Sequence, residues 1–305
     1  MNKNPKELKQ KINSVKSLQK ITKAMEMIAR GKMKKAVDTA LLTRIYATLA
    51  LKLLVNISKY FFHDNVYLNK GKGDKILVIY ISSDKGLCGG YNLQIFKELK
   101  KYIATHKSKK TKLDFICIGK YASINAKRVS GNIIGEYKVG LDYTNYVEGK
   151  DIYDLVLEKY KTLDYEKAIV VYTNFVTIFK REPTIRELIP ISKRSLKNMI
   201  EKLGSVEDDI VLKNLKEKDF LKYEYEPSSK YVMDTIIPEL ISNQIYQSIL
   251  ESKASEESAR MVAMKSASEN GERMANDLEI VYNQARQGII TKEIIEISSG
   301  VEALS

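Results

Sequence analysis

From Met261 to Leu304 the chain reads MVAMKSASENGERMANDLEIVYNQARQGIITKEIIEISSGVEAL. Apolar residues at Met261, Met264, Met274, Leu278, Val281, Ala285, Ile294, Ile297, Val301 and Leu304 follow a three/four spacing, the period of one helical face. Upstream, Val232, Ile236, Leu240, Ile245 and Ile249 keep the same spacing, so everything from Ser228 onward reads as one long helix. Pro238 marks an early kink or the true start of that helix, and Gly271 and Gly288 are weak points costing roughly 1 kcal/mol each relative to Ala. The other end of the chain behaves alike. Leu8, Ile12, Val15, Leu18, Ile21, Met25 and Ile28, then Val37, Leu41, Ile45, Leu49 and Leu53, predict a helix from about Pro5 to about Tyr60, with no further proline before Pro183. Both stripes are narrow, like a coiled-coil seam, and both helices exceed the ~8 to 20 residues usual in globular domains. The longest apolar stretch, Leu41 to Ile57, is broken by Arg44 and Lys52, short of the ~18 to 20 uncharged residues that cross a bilayer. An antiparallel pair of soluble helices is therefore expected. At 1.5 Å per residue they would be about 80 and 110 Å long, so about 30 Å of the second would lack an intrachain partner.

Between them the texture changes. Lys75 to Ser83 (KILVIYISS) is a continuous apolar, β-branched run, followed by a glycine-bearing turn and then Leu93 to Ile103 at helical spacing. Strand-like runs recur at Asp114 to Ile118 and Ala168 to Thr177, with helical spacing at Tyr121 to Val129 and Ile152 to Leu163. Strands alternating with helices predict βαβ units and a small, mostly parallel sheet. From Ile185 to Pro227 the chain is charged and irregular, with a final strand near Ile189 and a weak linker at Tyr225 to Ser229. The expected division is residues 1–62 for the N-terminal coiled-coil helix, 75–226 for a Rossmann-like α/β domain, and 228–305 for the C-terminal helix.

Charge is distributed unevenly along the 305 residues. Residues 1–35 carry eleven Lys and Arg against Glu7 and Glu26, a net +9 of the whole chain's +13. From Ser228 to Ser305 seven basic residues face twelve acidic ones, a net −5. The two ends could attract each other or face partners of opposite sign. A lysine-rich helix also suggests nucleic acid or an anionic surface, but no Phe, Tyr or Trp precedes Tyr46 to supply a stacking platform. The first residues lack the unbroken apolar run of a secretory signal, and the two cysteines, Cys88 and Cys117, form neither a CxxC pair nor a disulfide scaffold. The chain reads as reduced and intracellular.

Catalytic chemistry has few candidates. Ser82-Ser83-Asp84-Lys85-Gly86-Leu87-Cys88-Gly89-Gly90 lies between a strand and a helix, where a phosphate loop would lie, but its glycine spacing is neither GxGxxG nor GxxxxGK[ST]. A structural turn is the favoured reading. Cys88 has no histidine motif to activate it, since His63 and His106 stand alone. No carboxylate pair suggests acid/base work. No catalytic residue, metal site or cofactor is expected.

Three stretches, KITKAMEMIARGKMKKA (Lys20 to Ala36), SSDKGLCGGYN (Ser82 to Asn92) and ASEESARMVAMKSASENG through LEIVYNQARQGIITKEIIEISSG (Ala254 to Gly300), closely resemble the gamma subunit of F-type ATP synthases. Arg30-Gly31 stands where that family usually has small residues such as Ala-Ser. The resemblance implies a rotor shaft: an antiparallel two-helix coiled coil inside a ring of three alpha and three beta subunits, with the α/β domain as a foot beside the epsilon subunit and the membrane c-ring. It implies that Met25 and the lysines around it, Lys20, Lys23 and Lys32, lie near acidic loops of beta. Arg286, Gln287, Thr291 and Glu296 match positions meeting a catch loop of beta and neighbouring side chains. Ile294, Ile297, Val301 and Leu304 would fill an apolar sleeve of the ring. The complex would sit at the inner face of the cell membrane, with this chain cytoplasmic and peripheral. Two rival readings remain: a basic coiled-coil protein that binds nucleic acid through residues 1–35, and a shaft of a specialised F-like ATPase without the usual membrane rotor. A stand-alone α/β enzyme with helical arms is a third, weakened by the missing motifs.

Overall fold

The computed structural model describes residues 4–61, 65–71, 73–106, 112–138, 146–162, 164–191 and 226–302, with backbone only at 44–61, 229 and 300–302. Helix α1 (Pro5–Phe61) starts where Asn4 Oδ1 accepts the Lys6 N–H at 3.0 Å and Pro5 takes the first helical position, whose N–H needs no partner. The last helix, α5 (Ser229–Glu302), is capped by Ser228, whose Oγ accepts the Tyr231 N–H at 3.2 Å. It therefore begins ahead of Pro238 and carries that proline within its third turn. The two helices hold 57 and 74 residues.

Between them run β1 (Lys75–Ile81), α2 (Tyr91–His106), β2 (Lys112–Ile118), α3 (Lys120–Arg128), β3 (Asn132–Tyr137), a 3-10 turn (Tyr146–Gly149), α4 (Lys150–Lys161), β4 (Tyr165–Phe175) and β5 (Arg181–Ile189). They build one sheet of order β3-β2-β1-β4-β5, parallel except for β5. The continuous apolar runs arise because the central strands are covered on both faces. In β1, Leu77, Ile79 and Ile81 join Ile116, Ile118, Val170 and Tyr172 against α4 and the 233–250 stretch of α5. Ile76, Val78 and Tyr80 point the other way, with Phe115, Cys117 and Val171, against Ile95 and Leu99 of α2 and Ala122 of α3.

One strand has no counterpart in the sequence reading, and another is longer than expected. β3 has no counterpart there, because NIIGEY is a half-buried edge strand interrupted by Gly135 and Glu136. The final strand expected near Ile189 is present as β5, which ends at Ile189, starts earlier than expected at Arg181 and pairs antiparallel with β4, so the stretch read as irregular from Ile185 opens inside it. As an edge strand β5 tolerates Pro183 and the charges of Arg181, Glu182, Arg186 and Glu187, which mask its pattern. Residues 192–225, which include most of the stretch read as irregular, lie outside the described residues.

By packing, the chain divides into two compact units, residues 1–31 with 260–305, and residues 32–259. The boundary falls inside both long helices rather than at their junctions with the sheet segment. In the first unit, Lys16 Nζ meets Glu279 Oε1 at 2.5 Å, and a β-carbon at Gly271 would lie 3.4 Å from that of Gln19. In the second unit, α5 does not present a seam: from Leu240 to Ser252, and again from Ala254 to Ala259, every residue is buried. Ser242, Asn243, Gln244, Gln247, Ser248, Glu251, Glu256 and Glu257 are among them, so an apolar-only reading mistook a helix enclosed on all sides for a two-helix stripe.

Candidate interaction surfaces

The buried face of α1 runs Leu8, Ile12, Val15, Gln19, Thr22, Glu26, Ala29, Met33, Ala36 and Ala40, alternating steps of four and three. That is a strict heptad repeat. After Val15 it parts from the apolar stripe of the sequence. Leu18 (61% exposed), Ile21 (55%) and Ile28 (57%) lie outside, while Gln19, Thr22 and Glu26 turn inward. The seam continues through polar and small residues because a strict seven-residue spacing keeps one line facing the neighbour, and the larger apolar residues one position away fall off that line. α5 shows the same substitution: Met264, Ser268, Gly271, Ala275, Leu278, Tyr282 and Ala285 are buried or half-buried, whereas Met274 and Ile280 are exposed.

Glu26 is the one buried carboxylate of this stretch of α1, at 3% exposure, held by Lys23 Nζ at 3.0 Å and Arg30 Nη2 at 3.2 Å. Its two cations are themselves exposed, so the charge is satisfied from the rim of the seam. Met25, the expected partner contact, is half-buried beside it. Lys20 is exposed and Lys32 half-buried. Glu26 escaped the sequence reading because a carboxylate is normally taken as solvent-facing; its signal is the heptad step from Gln19, flanked by Lys23 and Arg30 at i−3 and i+4.

From Arg286 to Ser299 every residue of α5 is exposed. Arg286, Gln287 and Thr291 project freely, Glu296 pairs with Lys292 at 3.4 Å, and Ile294 and Ile297 are bare. Ile289, Ile290 and Ile295 are exposed too, so the apolar surface covers more than the single expected seam. Val301 lies in the helix without a described side chain, and Leu304 lies outside the described residues. The candidate set on α1 does not meet the set on α5: Lys16 and Gln19, next to Lys20, lie against Glu279 and Gly271, short of Arg286.

The third region is the loop after β1. Asn92 closes it, its Oδ1 accepting the Ser83 N–H at 3.3 Å and its Nδ2 donating to Ser83 Oγ at 2.7 Å and to Cys88 Sγ at 3.5 Å. Asp84 accepts the first N–H of α3, from Lys120, at 2.9 Å. Cys88 is buried with Tyr91 and Ala259. In a parallel sheet whose order reverses between β1 and β4, ligands settle in the crevice beyond the carboxyl ends of those strands. Here the chain's own α5 fills it: Ser252 Oγ lies 2.8 Å from the Tyr91 hydroxyl and 3.4 Å from the Thr173 N–H, and Ser255 Oγ donates to the Thr173 carbonyl at 3.1 Å. Among the described residues no helix is long and apolar enough to cross a membrane, and no cluster of His, Cys, Asp and Glu could hold a metal ion.

A family model described as ATP synthase matches residues 4–304. The chain is similar to a chain of the central stalk and c-ring of the Tetrahymena thermophila mitochondrial ATP synthase, at 23% identity over 81% of this chain and 99% of that one, with a TM-score of 0.57. It is similar also to a chain of the Euglena gracilis mitochondrial ATP synthase, in an OSCP/F1/c-ring structure in rotational state 3, at 17% identity over 98% of this chain and 94% of that one, with a TM-score of 0.63. A third likeness, to a chain of the Euglena gracilis rotor in rotational state 1, has 17% identity over 94% of this chain and 98% of that one, with a TM-score of 0.58. At these identities the structural likeness is one of fold.

Proposed function

The chain belongs to the ATP synthase gamma-subunit family, and we propose that it works as the central shaft on which rotation is exchanged for ATP synthesis or hydrolysis. Gamma subunits are rotor components of the central stalk, and such a subunit couples without a catalytic site of its own. The observation that carries the reading is the family match, which runs from residue 4 to residue 304 and so takes in both long helices and the sheet between them. Neither nucleic-acid binding nor a free-standing enzyme would require that arrangement.

In finer terms, α1 and α5 pair as an antiparallel coiled coil. The contacts of Lys16 with Glu279 and of Gln19 with Gly271, and the heptad lines on both helices, support this. Three alpha and three beta subunits enclose the pair. Lys20, Lys23, Met25 and Lys32 face acidic loops of beta, Arg286, Gln287, Thr291 and Glu296 make the contacts that sense its state, and Ile294, Ile297, Val301 and Leu304 turn in an apolar sleeve. The exposure of Leu18, Ile21 and Ile28 favours an enclosing partner as well, since a contiguous apolar stripe on a free helix is costly to leave in water. Residues 75–226 form the foot, beside an epsilon subunit and a membrane c-ring, and the chain is held at the cytoplasmic face of the membrane through the complex. Purifying the tagged chain from its native cell tests this. Alpha- and beta-type ATPase subunits should accompany it in stoichiometric amount; their absence overturns the reading.

A further inference from the structure

Apolar packing between a helix and a sheet has little directional preference, so by itself it resists sliding and twisting weakly. Where α5 passes the carboxyl edge of the sheet, a different kind of contact is built. The Tyr91 hydroxyl meets Ser252 Oγ at 2.8 Å and the Ser252 carbonyl at 3.2 Å, and the Thr173 N–H reaches the same Oγ at 3.4 Å. One turn on, Ser255 Oγ donates to the Thr173 carbonyl at 3.1 Å. A further turn on, Ser258 Oγ donates to the Ile178 carbonyl at 2.6 Å and accepts from Arg181 Nη1 at 3.4 Å. Tyr91 opens α2, Thr173 lies near the carboxyl end of β4, and Ile178 and Arg181 belong to the β4–β5 connection and the start of β5, so three separate segments grip one face of α5. Tyr91, Ser252, Ser255 and Ser258 are all buried, and a buried bond that breaks finds no water to replace it.

We propose that Tyr91 is a positioning residue at a torque-bearing joint, whose bonds to Ser252 lock α5 to the sheet so that both turn as one body. The proposal rests on the rotor reading. The bonds to Tyr91 and to Thr173 approach Ser252 from two separate elements, the start of α2 and β4, so α5 is held against rotation in either sense. The tyrosine ring packs with Cys88 and Ala259, which fixes the hydroxyl with few alternatives. This gives the SSDKGLCGGY segment a role in place of phosphate binding: its turn delivers the first residue of α2 to the crevice that α5 occupies.

Tyr91→Phe removes the hydroxyl and keeps the ring. In complexes of this chain with its ring subunits, a rod tethered to an exposed cysteine at position 97 (Lys97→Cys) reports the angle of the α/β unit. The variant should hydrolyse ATP at the wild-type rate without load, while the angular variance of the stalled rod rises at least twofold; Tyr231→Phe, at an exposed position on α5, should change neither. Equal variance in Tyr91→Phe and wild type overturns the joint. If the wild-type complex shows no ATP-driven rotation, the rotor reading fails, and the joint is still decided on the full chain alone by hydrogen exchange. There, amides 252–259 should exchange about fivefold faster in Tyr91→Phe, the factor expected for one buried hydrogen bond. Unchanged exchange overturns the proposal in that setting, and the same measurement decides it if the variant fails to assemble.

Discussion

Gly119 and Gly288 show how differently one residue type is used. Gly119 has φ +98°, and a β-carbon there would lie 2.3 Å from the Ser82 carbonyl oxygen, so the tight passage from β2 to α3 admits no side chain. Gly119→Ala should lower stability by at least about 2 kcal/mol, read from denaturant midpoints of the full chain. Gly288 lies in α5 with nothing within 4 Å of a built β-carbon, and Gly288→Ala should raise helix stability by about 1 kcal/mol. Buried hydroxyls set a second residue-scale behaviour. Burial pushes the Tyr160 phenol up to about 12, and burial also raises Tyr80, Tyr91 and Tyr165. In the unfolded chain these groups ionise near the ordinary value of ~10, so the neutral form they keep when folded stabilises the fold below that pH. The contribution is lost as pH rises from about 10 through the folded values. The sheet unit should therefore unfold cooperatively in alkali, with its buried tyrosines titrating only on unfolding, a step that ultraviolet difference absorbance follows. Gradual titration at the ordinary value with the fold intact would contradict the burial.

In α1 the deciding property is which line of the helix faces inward. Ile21 is bulkier than Thr22 but is exposed, and Ala29 is almost wholly buried. Ile21→Ser should leave the stability of the isolated chain within about 0.5 kcal/mol and weaken its association with the ring. Ala29→Leu should do the reverse, costing about 1 to 3 kcal/mol by overpacking a seam built for a small side chain. Thermal unfolding of the chain and gel filtration of reconstituted complexes separate the two effects. If α5 makes the ring contacts proposed above, its tip and the residues preceding it divide in the same manner. Deleting residues 294–305 removes apolar surface, so assembly should weaken while some rotation-linked turnover remains. Replacing Arg286 and Gln287 by Ala should spare assembly and cut turnover, since truncating a polar group at a desolvated contact costs about 2 to 5 kcal/mol. Complexes that assemble fully after the deletion yet lack turnover, alongside a silent double alanine, would reverse these roles.

At the scale of the whole molecule, charge acts collectively. The +9 of residues 1–35 is spread over eleven cations, of which Lys16, Lys23 and Arg30 are already paired within the chain. Exposed pairs are worth at most ~1 kcal/mol and are screened by salt. Single Lys→Ala changes at positions 20, 32, 34 or 35 should therefore alter ATP turnover of the complex only slightly, and a tenfold loss from any one would mean a discrete site. What the linear pattern determined by itself is considerable: two helices of unusual length, because a sustained three/four spacing without membrane-length apolar runs has few other outcomes, and a parallel α/β unit between them, because β1, β2 and β4 each hold a continuous apolar run. Of the edge strands, β5 was legible only at its end near Ile189 and β3 not at all, since both are only partly buried and carry glycine, proline and charge among their apolar residues. Nor was the true inward line of α1, because a seam is chosen by the neighbouring helix at heptad spacing, and Gln19, Thr22 and Glu26 lie on it whatever their polarity. The all-round burial of α5 from Leu240 to Ala259 likewise arises only when the sheet and α4 are assembled around it. Local periodicity decides that a segment is helical; which of its faces is buried, and by what, is decided by the partners that tertiary folding brings to it.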